Sequence, residues 1–359
     1  MNQPTPVNTA AKPTSLFLRI AIILLALGAT AFGTYYYFSK SDGPSSSAIP
    51  IVSGNQQDTV EAPAVAPPDM RAEFDSKLLH ITNGDTSGLW PVKTEYPLPG
   101  ALLPHKRILA FYGNLYSKQM GILGELPPDQ MLQKLQEEVK VWQAADTAIE
   151  VVPALHYIAV TAQQAPGKGG KHRLRMPFHQ IDSILNLAKR INALVFIDIQ
   201  VGLSTLQQEI PELVNYLKMP NVHLGVDPEF SMKGGQAPGK VVGTFDAADI
   251  NYTAEYLAKL VKENNLPPKV LVIHRFTRNM VTNTRQIKTR PEVQLVMDMD
   301  GWGGPQLKFN TYRQFIYKEP VEFTGFKLFY KNDTKNNNRL LTAPEVLALK
   351  PQPVYIQYQ

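Results

Sequence analysis

The chain contains no cysteine, and this absence removes several classes of protein at once. Among its 359 residues there is no Cys, which excludes a disulfide scaffold, a thiolate metal site, a cysteine nucleophile and a lipid-modified cysteine anchor. Charged residues make up only 19% of the chain, and the net charge of +5 is spread without a basic helix or stripe. Contact with anionic polymers or membranes is compatible with this balance, but nucleic acid is not indicated as a partner.

Several catalytic motifs are also missing. No glycine-rich dinucleotide fingerprint follows a predicted strand, and the glycine-rich segment 166–175 lacks the Ser or Thr that a phosphate-binding loop needs after Gly-Lys. There is no Gly-x-Ser-x-Gly turn for a serine nucleophile. A hydrophobic content of 44% excludes a disordered chain. No cofactor is therefore predicted from these motifs.

One long apolar run stands near the start of the chain. Residues 20–38 read IAIILLALGATAFGTYYYF, which is long enough to cross a bilayer as a helix. Lys12 and Arg19 precede it, and the positive-inside rule then places residues 1–19 in the cytoplasm and the remainder outside. We therefore predict a single-pass anchor in the cell membrane, with the lipid bilayer as a partner. The alternative is a cleaved signal peptide, because residues 29–31 resemble a cleavage site.

The rest of the chain divides into a tether and one large domain. Residues 39–70 are rich in Ser, Pro and Ala without apolar periodicity, which predicts a flexible tether. Strand-like and helix-like patterns then alternate through residues 71–359. Strands are predicted at 107–114, 150–159, 194–200, 222–229, 270–276, 293–300, 323–330 and 354–358. Helices are predicted at 128–143, 177–192, 204–217, 247–264, from 279, at 308–317 and at 344–349. Eight such units predict an α/β fold, a (β/α)8 TIM-type barrel, with an open doubly wound sheet as the alternative.

The faces of the predicted strands indicate where a site would lie. Along a barrel strand, alternate side chains point beneath the helices and into the barrel. In the third predicted strand Val195 and Ile197 share one face, whereas Asp198 and Gln200 share the other. The same alternation on three strands brings together the predicted catalytic carboxylates Asp198, Asp227, Glu229, Asp298 and Asp300. They fall near the carboxyl ends of the strands, where barrel enzymes hold their chemistry.

Other inward polar or aromatic side chains are predicted to bind substrate. They are Tyr112, Asn114, His156, Gln200, His274 and Tyr355, together with Trp302 on the loop after the sixth predicted strand. Because buried carboxylates are costly without partners, the cluster predicts a solvated pocket, a proton-sharing set or a cation site. No metal ligand is assigned, although a divalent cation at the acidic rim stays possible.

The segment 224–230, LGVDPEF, carries a family resemblance. It is similar to the end of the fourth strand in chitinases and chitinase-like (β/α)8 glycoside hydrolases, and the segment 297–300 resembles their sixth strand, with Met299 in place of a Tyr. The resemblance implies Glu229 as general acid and Asp227 as its orienting partner. The whole domain also resembles uncharacterised membrane-anchored, lipoprotein-like bacterial barrel proteins, which implies a cell-envelope location.

Three functions follow from these features. The first is a glycoside-hydrolase-like enzyme acting on a cell-envelope or extracellular glycan, or on an anionic envelope polymer, by carboxylate acid/base catalysis. The second is a non-catalytic barrel that binds an envelope glycan or partner. The third is a metal-dependent hydrolase, for which the potential ligands are His156, Asp198, Asp227, His274 and Asp298.

Overall fold

A computed structural model of the protein describes residues 68–359, which form a closed barrel of eight parallel strands. The strands are β1 (Lys106–Gly113), β2 (Glu150–Ala162), β3 (Leu194–Ile199), β4 (Val222–Val226), β5 (Lys269–Arg275), β6 (Val293–Met299), β7 (Phe323–Leu328) and β8 (Tyr355–Tyr358). Each strand pairs with the next, and β1 pairs with both β2 and β8, so the sheet has no open edge. The barrel prediction is confirmed, and the open sheet is wrong.

Helices and turns connect the strands around the outside. The helices are α1 (Pro68–Thr82), α2 (Ile122–Glu125), α3 (Pro128–Ala145), α4 (Phe178–Arg190), α5 (Leu206–Glu209), α6 (Val214–Leu217), α7 (Ala247–Glu263), α8 (Pro305–Thr311) and α9 (Ala343–Leu347). Helix α7 shows how the sequence specifies them. The Asp246 carboxylate accepts from the backbone N–H of Ala248, and the Asp249 carboxylate accepts from that of Asp246, forming a capping box. Ile250, Ala254 and Leu257 then bury one face of the helix against the barrel.

The two faces of the strands pack into two separate cores. On β3, Val195, Ile197 and Ile199 belong to the outer core beneath the helices. Phe196 belongs to the inner core in the lumen, together with residues of β1, β5, β6 and β8. Helix α1 contributes Phe74 to that inner core. The alternation predicted for the strands is therefore confirmed, and it directs the polar residues of the inward face into the lumen.

Three predicted elements differ from the structure because of individual residues. The fourth strand ends at Val226 rather than Glu229, since Pro228 has no N–H to pair and begins a short turn, Pro228–Phe230. The helix predicted at 204–217 is divided by a turn that contains Pro211. The helix predicted from residue 279 is wrong, because Asn283 has a left-handed φ of 55° between two short turns. Helix α1 was not predicted.

The predicted membrane anchor and the cytoplasmic segment lie outside the described residues. Within residues 68–359, no helix is both long and apolar enough to cross a membrane. The predicted tether, 39–70, also lies mostly outside this range, but its last residues form the start of α1.

An ion pair at the end of α3 provides a test of the barrel's stability. Arg107 is fully buried on β1, and its guanidinium lies 2.8 Å from the carboxylate of Asp146, which follows α3. Asp146→Asn leaves this buried cation unpaired, so we expect a loss of about 3–5 kcal/mol in the free energy of unfolding, measured with urea. Asp129→Asn removes the carboxylate that pairs with Arg190 at the surface. This variant should have little effect on the free energy of unfolding. Equal losses in both variants would contradict this account.

Candidate active site

Asp198 lies at the centre of a polar cluster in the upper part of the lumen. It is fully buried at the end of β3, and the hydroxyl of Tyr112 donates a 2.9 Å hydrogen bond to its Oδ2. Its other oxygen, Oδ1, lies 3.4 Å from Nε2 of His156 and 3.5 Å from Nε2 of His274. Four strands thus bring one carboxylate, one phenol and two imidazoles together, because each residue occupies an inward position; three lie near the carboxyl ends of their strands, and His156 lies in the middle of the longer strand β2.

Burial and neighbouring charges shift the pKa values of the two imidazoles in opposite directions. Burial lowers the pKa of His156 to about 4, so this ring is neutral at physiological pH. Burial would also lower the pKa of His274, but the negative charge of Asp198, whose Oδ1 lies 3.5 Å from Nε2, and the hydrogen bond with Asp298 outweigh it and raise the pKa well above its ordinary value. Nδ1 of His274 lies 3.2 Å from Asp298 Oδ2 and 3.3 Å from Asp300 Oδ2. His274 therefore links the buried carboxylates to Asp300.

Lys327 neutralises part of this negative charge and was missed by the sequence analysis. Its ammonium lies 3.0 Å from Oδ1 of Asp300 and 3.9 Å from the centre of the Tyr112 ring. The signal was available, since Lys327 shares the inward face of β7 with Phe323 and Gly325. Asp300 follows directly after β6 and is 8% exposed, whereas Asp298 is fully buried. Asp300 is therefore the carboxylate of β6 that is nearer the mouth.

Asp227 and Glu229 lie in the turn after β4 rather than on the strand. Oδ1 of Asp227 accepts a 2.9 Å hydrogen bond from the backbone N–H of Glu229, and its Oδ2 accepts a 3.4 Å hydrogen bond from Gln200. Burial raises the pKa of Asp227 to about 7. Burial and then the charges of Asp227 and Asp300 raise the pKa of Glu229 well above its ordinary value, against the opposing effect of Lys327 and His274.

The remaining predicted substrate-binding residues occupy different places. The hydroxyl of Tyr355 lies 2.5 Å from Nδ1 of His156, so this fully buried residue supports the cluster from below. The side-chain amide of Asn114 donates a hydrogen bond to the carbonyl of Ile158 and accepts one from the backbone N–H of Tyr116. Trp302 is half-buried on the loop after β6, with the ammonium of Lys335 5.6 Å from its ring centre. Only Trp302 among these three lies outside the buried hydrogen-bonding network.

A second charged group holds the Trp302 loop. The ammonium of Lys308 donates to the carbonyl of Gly301 at 2.8 Å, and Asp333 accepts a hydrogen bond from the backbone N–H of Gly303 at 2.9 Å. Lys308 and Asp333 are themselves a buried pair at 2.9 Å. The loop is thus fixed on both sides of Trp302, which sets the position of the indole ring at the rim.

The basic segment after β2 is largely engaged within the protein. Residues Arg173–Arg175 form a short strand antiparallel to the end of β2. The guanidinium groups of Arg173 and Arg175 lie 2.8 and 2.7 Å from the carboxylate of Glu209, which is fully buried. These two arginines therefore stabilise the wall of the mouth, and they are not free to bind an anionic polymer.

Comparisons with known proteins show no family for this chain. No family model and no curated protein matches the chain. Solved structures similar to it include the cellulase Cel5C_n, with 13% identity over 62% of this chain and 65% of the cellulase, at a TM-score of 0.36. The match thus spans less than two thirds of that cellulase. A hyperthermophilic endo-β-1,4-glucanase in complex with substrate has 9% identity over 58% of this chain and 77% of its own, at 0.32. A broad-specificity endoglucanase from an uncultured bovine rumen ciliate has 10% identity over 57% and 72%, also at 0.32.

Proposed function

We propose that the mouth of the barrel hydrolyses glycosidic bonds in a cell-envelope or extracellular glycan, with Glu229 as the general acid. The observation that carries this proposal is the pairing of two carboxyl groups with opposite environments. Burial and neighbouring carboxylates raise the pKa of Glu229, whereas Asp300 forms an ion pair with Lys327. A protonated acid beside an ionised carboxylate is the division of labour that glycoside hydrolysis requires.

Each step of the reaction has a group to perform it. The protonated carboxyl of Glu229 donates its proton to the glycosidic oxygen as the bond from the anomeric carbon to that oxygen breaks. The carboxylate of Asp300 stabilises the positive charge that develops on the sugar ring. Water then supplies the new hydroxyl at the anomeric carbon, and its displaced proton restores Glu229 to the acid form. The net reaction cleaves one glycosidic bond and consumes one water molecule.

Other residues of the rim position these two groups. Asp227 fixes the turn that carries Glu229 through the backbone N–H of Glu229, and Gln200 holds the second oxygen of Asp227. Trp302 offers an aromatic face at the rim on a loop held by buried charges, which suits stacking against the apolar face of a sugar. The fully buried Asp198 and Asp298 then act as positioning residues through His274.

The pH dependence of the rate follows from the acid role of Glu229. A general acid works only while protonated, so kcat/KM should fall as pH rises through the pKa of Glu229 in the free enzyme. Because that pKa is raised well above the ordinary 4.5, the fall is expected well above pH 4.5. Lys327→Met removes a cation that lowers this pKa, and it should move the fall to still higher pH. A fall centred near pH 4.5 in the wild type would contradict the assignment.

We also propose that residues 20–38 hold the barrel at the outer face of the cell membrane. The proposal rests on the apolar run and on the cations before it, Lys12 and Arg19. The full chain should resist extraction from membranes by alkaline carbonate, and its barrel should be digested by protease added outside intact spheroplasts. Release by carbonate, or protection from the protease, would exclude this topology.

A further inference from the structure

Three buried atoms in the lumen converge without hydrogen-bond partners. They are Nε2 of His156, Nε2 of His274 and Oδ1 of Asp198, each on a fully buried side chain. These atoms all lie within 4.8 Å of one another. An unsatisfied polar atom in a protein interior costs about 1–3 kcal/mol, so three facing one another indicate a partner that they share.

The spacing of these atoms matches the edges of a metal coordination sphere. Ligand atoms at about 2.0–2.1 Å from a tetrahedral Zn²⁺ ion are separated by roughly 3.3–3.4 Å. Oδ1 of Asp198 lies 3.4 Å from His156 Nε2 and 3.5 Å from His274 Nε2. Two imidazole nitrogens and one carboxylate oxygen are a common set for a zinc ion that keeps a fourth, open position.

The second nitrogen or oxygen atom of each potential ligand already contacts another residue. Nδ1 of His274 lies 3.2 Å from Asp298, as in the carboxylate–histidine–metal arrangement. Nδ1 of His156 lies 2.5 Å from the hydroxyl of Tyr355. Oδ2 of Asp198 accepts from Tyr112. The rings and the carboxylate are therefore oriented so that their three unsatisfied atoms face one another.

Gly225 keeps this space open. A β-carbon at position 225 on β4 would lie 2.4 Å from His156 Nε2 and 2.5 Å from Asp198 Oδ1, far inside contact distance. Any side chain here would therefore fill the space between these potential ligands. The local charge also favours a cation, because three carboxylates, those of Asp198, Asp298 and Asp300, face the ammonium of Lys327, at 3.0 Å from Asp300, and the imidazole of His274, whose Nε2 proton a metal ion would replace.

The geometry points to a binding site for a divalent transition-metal ion of the zinc class, held by His156, Asp198 and His274. This site goes beyond the proposed glycan hydrolysis, since neither Glu229 nor Asp300 is one of its ligands. The ion lies below the catalytic rim and ties β2, β3 and β5 together across the lumen.

Zn²⁺ and Co²⁺ added to the purified full chain in detergent test the site. After metal removal by a chelator, we expect the chain to bind one equivalent of Zn²⁺, measured by elemental analysis and by competition with a chromophoric chelator. Co²⁺ should give the intense visible absorption of a four-coordinate ion. Less than one equivalent of Zn²⁺, or a weak octahedral Co²⁺ spectrum, would overturn the proposal without any variant.

Two variants at proposed ligands and one control test the assignment. Asp198→Asn and His274→Gln should each lower the affinity for Zn²⁺ by at least about 100-fold, since loss of even an outer-shell partner costs about 10–100-fold.

The matched control is His223→Gln. His223 is equally buried in the lumen and its Nε2 also lacks a partner, but it is not part of the cluster. The control should retain the wild-type affinity. Equal affinity in all variants, or equal loss in the control, would contradict the assignment. Reducing-end release, measured separately with metal present and removed, reports on glycan hydrolysis independently.

Discussion

Glu229→Gln is expected to lower glycan hydrolysis by about 10²- to 10⁴-fold, the usual contribution of a general acid. The amide has nearly the shape of the carboxyl group but has no acidic proton to give to the leaving oxygen. Within residues 68–359 the Glu229 carboxyl forms no hydrogen bond, so the substitution should leave the fold intact. Because the folded state raises the pKa of this carboxyl, its removal also ends the cost of keeping it protonated at neutral pH, and the free energy of unfolding should not fall.

The measurement for this variant separates catalysis from binding. Release of reducing ends from peptidoglycan, chitin oligomers and other polysaccharides gives the rate, and calorimetric titration with the same glycans gives the affinity. Glu255→Gln, an exposed position on α7, provides a control with the same chemical change. The variant should bind as the wild type does but cleave far less. Cleavage within tenfold of the wild type would exclude Glu229 as the acid.

Asp300→Asn is expected to have the second-largest effect, with a loss of at least about 10²-fold in kcat. The substitution removes the negative charge that stabilises the developing sugar cation. It also leaves the Lys327 ammonium, only 3% exposed, without its carboxylate at 3.0 Å. Breaking a buried ion pair in this way costs about 3–5 kcal/mol, so the single variant should also unfold more easily.

A double variant distinguishes the two consequences. Asp300→Asn combined with Lys327→Met removes both charges, and it should recover much of the lost stability without recovering activity. Unfolding by urea and the rate of reducing-end release are measured on the same preparations. If the double variant regains both, Asp300 is a structural partner of Lys327 and has no role in the reaction. Recovery of stability alone supports its role at the sugar.

Much of the barrel could be predicted because strand alternation is a local property. Val195, Ile197 and Ile199 reveal their outward face by apolar character alone, and the polar Asp198 between them must then point inward. The same reasoning located both imidazoles of the cluster. It would also have located Lys327, had alternation been followed along the seventh strand, where Phe323 marks the inward face.

The parts that were missed depend on backbone geometry that no pattern records. Glu229 was placed on a strand, whereas Pro228 ends the pairing and the Asp227 carboxylate holds the turn that directs Glu229. Helix α1 contributes few buried residues, among them Phe74 and Ile81, so its apolar periodicity is weak. The convergence of His156, Asp198 and His274 on one point is a matter of register between strands, which the sequence of each strand does not contain.

The most direct test of the proposed reaction is hydrolysis in water enriched in ¹⁸O, followed by mass spectrometry of the products. The full chain in detergent is incubated with each glycan, and the new reducing ends are examined before the label exchanges. We expect one ¹⁸O at each new reducing end for at least one envelope glycan, and almost none with Glu229→Gln. Absence of labelled ends with every glycan, from wild-type protein that binds them, would show that the barrel binds without cleaving and would contradict the proposed function.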